Sequence, residues 1–334
     1  MNTELLKKLM TTQGVSGGES AISARIRDMI SPYVDTCYND DLGNLIAVKN
    51  GNGGRHKKIM LCAHMDEIGF IVTYIEDSGL VRFATIGGIN FTAYSYTAVQ
   101  SSKGVKGVLV PEGDVPAGSI TFDKCYIDIG AKDKKDAERR VSVGDYFAVE
   151  PSLTRLMGSR IAGRPMDDRA GCAALIMIAE KLAERGCSDD VYYVFSVQEE
   201  VGCRGAKPAS FAIAPDLAIV YDVTRTGDTP GCKPMAVKLG GGAAIKIKDS
   251  SVICHAQTVG ELIETAKANK IKYQCEVLTA GGTDTSSIQM SGVGCRAAAI
   301  SIPTRYIHTG VEMIDTADLE ATVALTVAYI GENK

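Results

Sequence analysis

The pair Asp167-Asp168 stands among four other groups able to hold a metal: His64-Met65-Asp66, Glu199-Glu200, Asp222 and His308. Two imidazoles with several carboxylates suit two divalent ions that share one bridging carboxylate. Such sites, with ions roughly 3.5–4 Å apart, activate water for hydrolysis.

His64 and Asp66 lie two apart after the apolar run Ile59-Met60-Leu61-Cys62-Ala63. On extended backbone, residues i and i+2 project to the same side. Asp66 can then accept a hydrogen bond from His64 and fix the tautomer that turns the other ring nitrogen to a metal. Alone, His64 would read as a satisfied histidine at a sheet edge. Asp167-Asp168 precedes a helix that opens at Arg169-Ala170-Gly171. As an isolated pair it reads as a helix N-cap. In this company it reads as a loop that aims a carboxylate inward, one oxygen for each ion, with Asp168 supporting or capping. Glu199-Glu200 follows an apolar strand, which separates it from a solvated charge pair. Two neighbouring glutamates can divide the work, one binding metal and one taking a proton from water.

Asp222 ends the run Leu217-Ala218-Ile219-Val220-Tyr221 and could equally start a turn. His308 sits in the loop Pro303-Thr304-Arg305-Tyr306-Ile307-His308. Of the other histidines, His56 is expected in solvent and His255 in a structural place before a helix. Arg225, three residues after Asp222, is expected either to reach the substrate's first side chain and favour acidic residues, or to face solvent or Asp228. Gly240-Gly241-Gly242 lacks the Lys-Ser/Thr of a phosphate-binding loop. Ser286 and Ser287 lack the context of a nucleophilic serine.

The elements that must position these groups alternate strand and helix signals. Ile22, Ile26, Met29 and Ile30 make one helical face, and two strands flank the turn Asp40-Asp41-Leu42-Gly43-Asn44. The run to Ala63 suits a strand buried on both sides. From about 70 to 162 the texture changes to short β-rich pieces between glycines, such as Phe70–Tyr74, Gly107–Val110 and Tyr146–Val149. This predicts an inserted, mostly antiparallel β domain, with a short surface helix in Lys132–Arg140. The α/β pattern then returns. Leu175, Ile178, Ala179 and Leu182 form a helix face, Asp190–Val197 a strand, Ala297–Ser301 another that Pro303 ends, and Leu319, Val323, Val327 and Ile330 a last helix. The expected domains are 1–69 with 163–334, and the insert 70–162. Most candidate ligands fall at C-terminal strand ends, where open α/β sheets bind ligands.

With 334 residues, 45% hydrophobic and 23% charged, the chain has ordinary globular composition. A net charge of −4 without a long basic run argues against nucleic acid and anionic membranes. The amphipathic start Met1–Lys8 lacks a signal peptide's apolar core, and no stretch approaches a membrane span of roughly 20 residues. Ten scattered cysteines without a C-x-x-C pair read as reduced thiols of a cytoplasmic protein.

In combination and order, six motifs resemble the M42 family of metallo-aminopeptidases over nearly the whole chain. They are Ala63–Phe70, Met166–Cys172, Gln198–Gly202, Asp222-Val223-Thr224, Gly281-Gly282-Thr283-Asp284 and Pro303–His308. The resemblance implies an α/β fold with a mixed, zinc-peptidase-like sheet flanked by helices and an inserted barrel-like β domain. It implies that Asp167 bridges two divalent ions, with His64 and Asp222 completing one site and Glu200 and His308 the other. Glu199 would be the general base, Asp66 would support His64, and the Asp167–Asp168 peptide would be cis. Zinc and cobalt are the leading ions, with manganese also compatible. The activity implied is removal of N-terminal residues from peptides through a water that bridges the ions. Dimers would assemble into a dodecamer through the insert. Two other readings stand beside it. A glycoside hydrolase needs two carboxyls across a sugar and no metal, and the absence of Trp leaves few stacking platforms. A metal-dependent binding scaffold would have no use for a base beside the ligand glutamate.

Overall fold

A computed structural model describes residues 3–52, 56–89, 93–113 and 115–332. In chain order the helices are α1 (Thr3–Met10), α2 (Ser20–Ile30), α3 (Lys134–Glu138), α4 (Arg169–Arg185), α5 (Ala206–Ile213), α6 (Ala256–Ala268), α7 (Asp284–Gln289) and α8 (Thr316–Glu332). The strands are β1 (Thr36–Asn39), β2 (Leu45–Lys49), β3 (Lys58–His64), β4 (Gly69–Ile75), β5 (Val81–Ile86), β6 (Thr97–Ser101), β7 (Lys106–Pro111), β8 (Cys125–Asp128) and β9 (Tyr146–Val149), followed by β10 (Ser152–Arg155), β11 (Arg160–Arg164), β12 (Asp190–Ser196), β13 (Leu217–Thr224), β14 (Ala243–Lys248), β15 (Tyr273–Val277), β16 (Ala297–Arg305) and β17 (Glu312–Asp315). The helix expected from Met1 begins at Thr3, and residues 1 and 2 lie outside the described residues.

Among the described residues, eleven strands form one mixed sheet in the order β1-β2-β12-β3-β13-β16-β17-β11-β10, with β14 beside β16 and β15 beside β14. Its centre, β12-β3-β13-β16, is parallel. These strands read as near-continuous apolar runs because helices cover both faces. In β13 every residue is buried, and in β3 all but Lys58. Leu175, Ile178 and Leu182 of α4 are fully buried against the sheet, each contributing about 1.5–3 kcal/mol. Parallel pairing puts the C-terminal ends of the four central strands on one edge, and the candidate ligands gather there.

The other six strands, β4-β5-β8-β7-β6-β9, close into a barrel with its own core of Phe70, Val72, Phe83, Val99, Leu109, Ile127 and Phe147. Phe70 and Phe83 meet edge to face at 4.9 Å, the arrangement ring quadrupoles favour. Among the described residues no helix is long and apolar enough to cross a membrane.

Three local expectations give way. The barrel ends at Val149, whereas β10 and most of β11, expected within the insert, pair into the large sheet. There β11 is the partner of β17, from Arg160↔Asp315 to Gly163↔Glu312, so burial against the core assigns it. Pro303 does not end its strand, which runs to Arg305. The proline sits at the last rung of the β13 pairing, opposite Thr224, where a missing N–H costs least. Asp222 lies inside β13 rather than at its end, and the strand runs two residues further.

Candidate metal centre

His64 is the last residue of β3 and is 2% exposed. Its Nδ1 lies 3.2 Å from the Asp66 carbonyl oxygen and 3.4 Å from the Asp66 carboxylate. Both are acceptors, so Nδ1 carries a proton and Nε2 is the nitrogen left to a metal. Nε2 faces Asp167 Oδ1 at 3.1 Å and Asp222 Oδ1 at 3.8 Å. Across the site, His308 Nε2 lies 3.2 Å from Asp167 Oδ2 and 3.3 Å from Glu200 Oε2. The two oxygens of Asp167 therefore serve two different imidazole–carboxylate groups. Donors around a tetrahedral ion, with bonds of about 2.0–2.1 Å, stand about 3.3 Å apart, and these separations lie close to that. One oxygen each of Glu200 and Asp168 is buried without a protein partner among the described residues. A cation between such groups satisfies lone pairs that otherwise oppose one another, so the residues present fit two divalent ions.

The electrostatics follow from burial and proximity. Burial opposes charge on His64, but the Asp167, Asp222 and Asp66 carboxylates outweigh it and hold its pKa well above the usual range. For His308 burial is likewise overcome, by Asp167 and Glu200, and the pKa is pushed up to about 11. Burial would raise Asp167, yet the two imidazoles hold it well below the ordinary carboxylate range. Glu199 goes the other way. Burial and the neighbouring Asp222, Asp284 and Glu200 carboxylates lift it well above its usual value. Bound cations reverse that repulsion and favour the carboxylate.

Asp66 does more than face His64. Its Oδ1 accepts the Glu199 N–H at 3.0 Å, and its Oδ2 accepts the Glu200 N–H at 3.2 Å and the Ser16 hydroxyl at 2.6 Å. One fully buried carboxylate thus orients the histidine and both glutamates. The turn starts at Gln198, in left-handed backbone (φ 57°), with its N–H held by Glu19. Asp168 caps α4 by accepting the Gly171 N–H at 2.9 Å, and the Asp167–Asp168 peptide is cis.

Sequence reasoning missed Glu312. It is fully buried and reaches both ligand loops. Oε2 accepts the N–H groups of Met166 at 2.7 Å and Asp167 at 3.1 Å, while Oε1 accepts the His308 N–H at 3.0 Å and faces Arg164 at 3.4 Å. Arg164 also donates to the Ile68 and Thr309 carbonyls and stacks over Tyr94. The one sequence signal for Glu312 is a charge inside the apolar stretch after His308. Arg225 is exposed, and Asp228 is taken by a two-pronged pair with Arg305 at 3.1 and 2.6 Å. The site therefore gives no support to selection of acidic substrates by Arg225. His255 caps α6, and His56 pairs with Asp190.

The family model for M42 glutamyl aminopeptidase matches residues 43–325. A putative aminopeptidase of Acetivibrio thermocellus is 45% identical over 98% of each chain. The lysyl aminopeptidase of Pyrococcus furiosus is 35% identical over 99% of this chain and 97% of its own. Among solved structures, the TET1 peptidase of Pyrococcus horikoshii, which can assemble into a tetrahedron or a large octahedral shell, superposes with a TM-score of 0.90 at 33% identity. It is matched over 98% of this chain and 99% of its own.

Proposed function

The chain belongs to the M42 glutamyl aminopeptidase family, and on that premise we propose an aminopeptidase that removes N-terminal residues from peptides with two divalent ions gathered around Asp167. The observation that carries this reading is the division of the Asp167 carboxylate, with Oδ1 on the His64 side and Oδ2 on the His308 side. Asp167 would be the shared ligand, His64 and Asp222 would complete one site, and Glu200 and His308 the other. The mixed imidazole–carboxylate set suits zinc or cobalt. When bound, the two ions supply Lewis-acid polarisation of the scissile carbonyl and a water acidic enough to ionise near neutral pH.

The protein's own groups do the rest. Nδ1 of His64 stays protonated toward Asp66, which keeps Nε2 free as a ligand. Asp66 holds the Glu199 and Glu200 backbone, so that Glu200 turns to His308 while Glu199 stays outside the ligand set. Glu199 accepts the proton of the attacking water at its carboxylate. The test is Glu199→Gln. It should retain both ions and lose kcat by roughly 10²–10⁴-fold, the worth of a positioned base. Near-normal turnover by the metal-loaded variant would sink the assignment.

We read the chain further as one subunit of a homo-oligomer, a dodecamer assembled from dimers, with the β insert in the contacts. Similarity to a peptidase that forms a tetrahedron supports this. So do the barrel's exposed apolar side chains Tyr74, Tyr96, Val108 and Val143.

A further inference from the structure

Beside the five-ligand set lies a second group of donors. The turn after Glu199 closes on itself, since the N–H groups of Gly202 and Cys203 both reach the Glu199 carbonyl at 2.9 and 2.8 Å. Cys203, in left-handed backbone (φ 52°), is thereby folded over Glu199, and its thiol donates to Glu199 Oε1 at 3.1 Å. The first residue of α7, Asp284, approaches from another part of the chain. Donor atoms of Glu199, Cys203 and Asp284 all lie within 4.8 Å of one another. Two features make this more than a thiol near an acid. Asp284 is 1% exposed, and its Oδ1 has no protein partner among the described residues, while Oδ2 accepts from Ser196 Oγ at 2.5 Å. The group is also braced, because Ser287 of α7 donates to the Cys203 carbonyl at 3.1 Å.

We propose that Glu199, Cys203 and Asp284 form a third, inhibitory cation site for thiophilic divalent ions such as zinc or cadmium. Thiolate selects soft ions, whereas manganese prefers oxygen donors. On binding, the Cys203 thiol gives its proton to solvent and a metal–sulfur bond replaces the S–H···O contact. No electron is transferred. An ion held on the Glu199 carboxylate occupies the lone pair that would accept a proton from water. That inhibitory consequence rests on the reading of Glu199 as the base; the binding itself does not.

Metal-free full-length protein titrated with cadmium should bind three ions per subunit, and the thiolate-to-cadmium ultraviolet band should arise with the third. Cys203→Ser keeps a hydroxyl toward Glu199 but no soft ligand, so it should bind two and show no such band. With zinc, peptide hydrolysis should peak at two equivalents and fall by roughly 10²-fold or more at the third, the loss expected when a base is blocked. In Cys203→Ser that fall should be absent. Binding of only two cadmium ions, a band that survives in Cys203→Ser, or undiminished hydrolysis with the third zinc bound overturns the proposal. A protein that shows the third-site band yet never hydrolyses peptides with two ions defeats the aminopeptidase reading instead.

Discussion

At the scale of single residues, Glu312 explains how candidate ligands more than a hundred positions apart come to share one point. Its carboxylate accepts three N–H groups from the Asp167 and His308 loops, and Arg164 balances its charge. Glu312→Gln keeps the volume but turns an acceptor into a donor and leaves Arg164 buried without its counter-ion. Both ions should then bind about 10–100-fold more weakly, the usual effect of losing such support. Competition against a chelator measures this, and unchanged affinity would show that the loops hold themselves. The histidines set a pH dependence. In the metal-free fold His64 and His308 have raised pKa values, His308 to about 11. Their contribution to that fold is full below the unfolded value of about 6.5 and is lost as pH rises through the raised values. Metal must displace those protons, so affinity should rise with pH and loading at neutral pH should release protons. Calorimetry in buffers of differing ionisation enthalpy checks it, and zero proton release counts against the site. The candidate ligands are legible in the sequence because ligand chemistry limits them to few residue types. Glu312, Arg164 and Glu19 are not, because they satisfy backbone groups distant in the chain and carry no local signature.

At the scale of elements, the strands that carry the site were readable where burial on both faces made the pattern continuous, as in β3, β12 and β13. Reading failed where pairing decided. Pro303 reads as a breaker because a sequence does not show its partner at the last rung, and the β10–β11 hairpin reads as more of the insert because its pairing with β17 lies far along the chain. One buried side chain shows how elements hold the turn that carries Glu199 and Glu200. Asn44, between β1 and β2, accepts the Val197 N–H at 3.0 Å and donates to the Gly205 carbonyl at 2.9 Å and to Asp40 at 2.7 Å. These clamp both ends of the 198–204 loop that holds Glu199 and Glu200. A buried donor or acceptor left without its partner costs about 1–3 kcal/mol. Asn44→Ala, which orphans the Val197 N–H and leaves the Gly205 carbonyl with the Ala209 N–H alone at 3.3 Å, should lower stability to denaturant by about that much. A loss under about 0.5 kcal/mol, the size of an ordinary surface substitution, would mean that the loop is held elsewhere.

At the scale of the whole molecule, the barrel is inserted between β3, which ends in His64, and the hairpin that leads to Asp167. Its presence was legible as a change of texture, but its closure was not, since a barrel is defined by pairings between distant strands. The structure shows that it also touches the site. Tyr94 lies under Arg164, and a side chain on Gly88 would stand 3.5 Å from the His308 ring. The two segments that enter and leave the barrel run antiparallel, Phe70 beside Phe147. Val72 exchanges hydrogen bonds with Asp145 and Gly144, both at 2.9 Å. Val72 and Asp145 can therefore be joined by a two-residue glycine-containing turn, which excises 73–144 while keeping a hairpin. The large sheet keeps its whole core, including β10 and β11, so the shortened chain should remain folded by circular dichroism. If the insert holds subunits together, light scattering should give particles several-fold smaller than those of the full chain. Hydrolysis should weaken as well, because Arg164 loses its ring and His308 its neighbour. A folded, shortened protein that assembles to the same number of subunits as the full chain would move the contacts to the large sheet and its helices, and leave the barrel with the site alone.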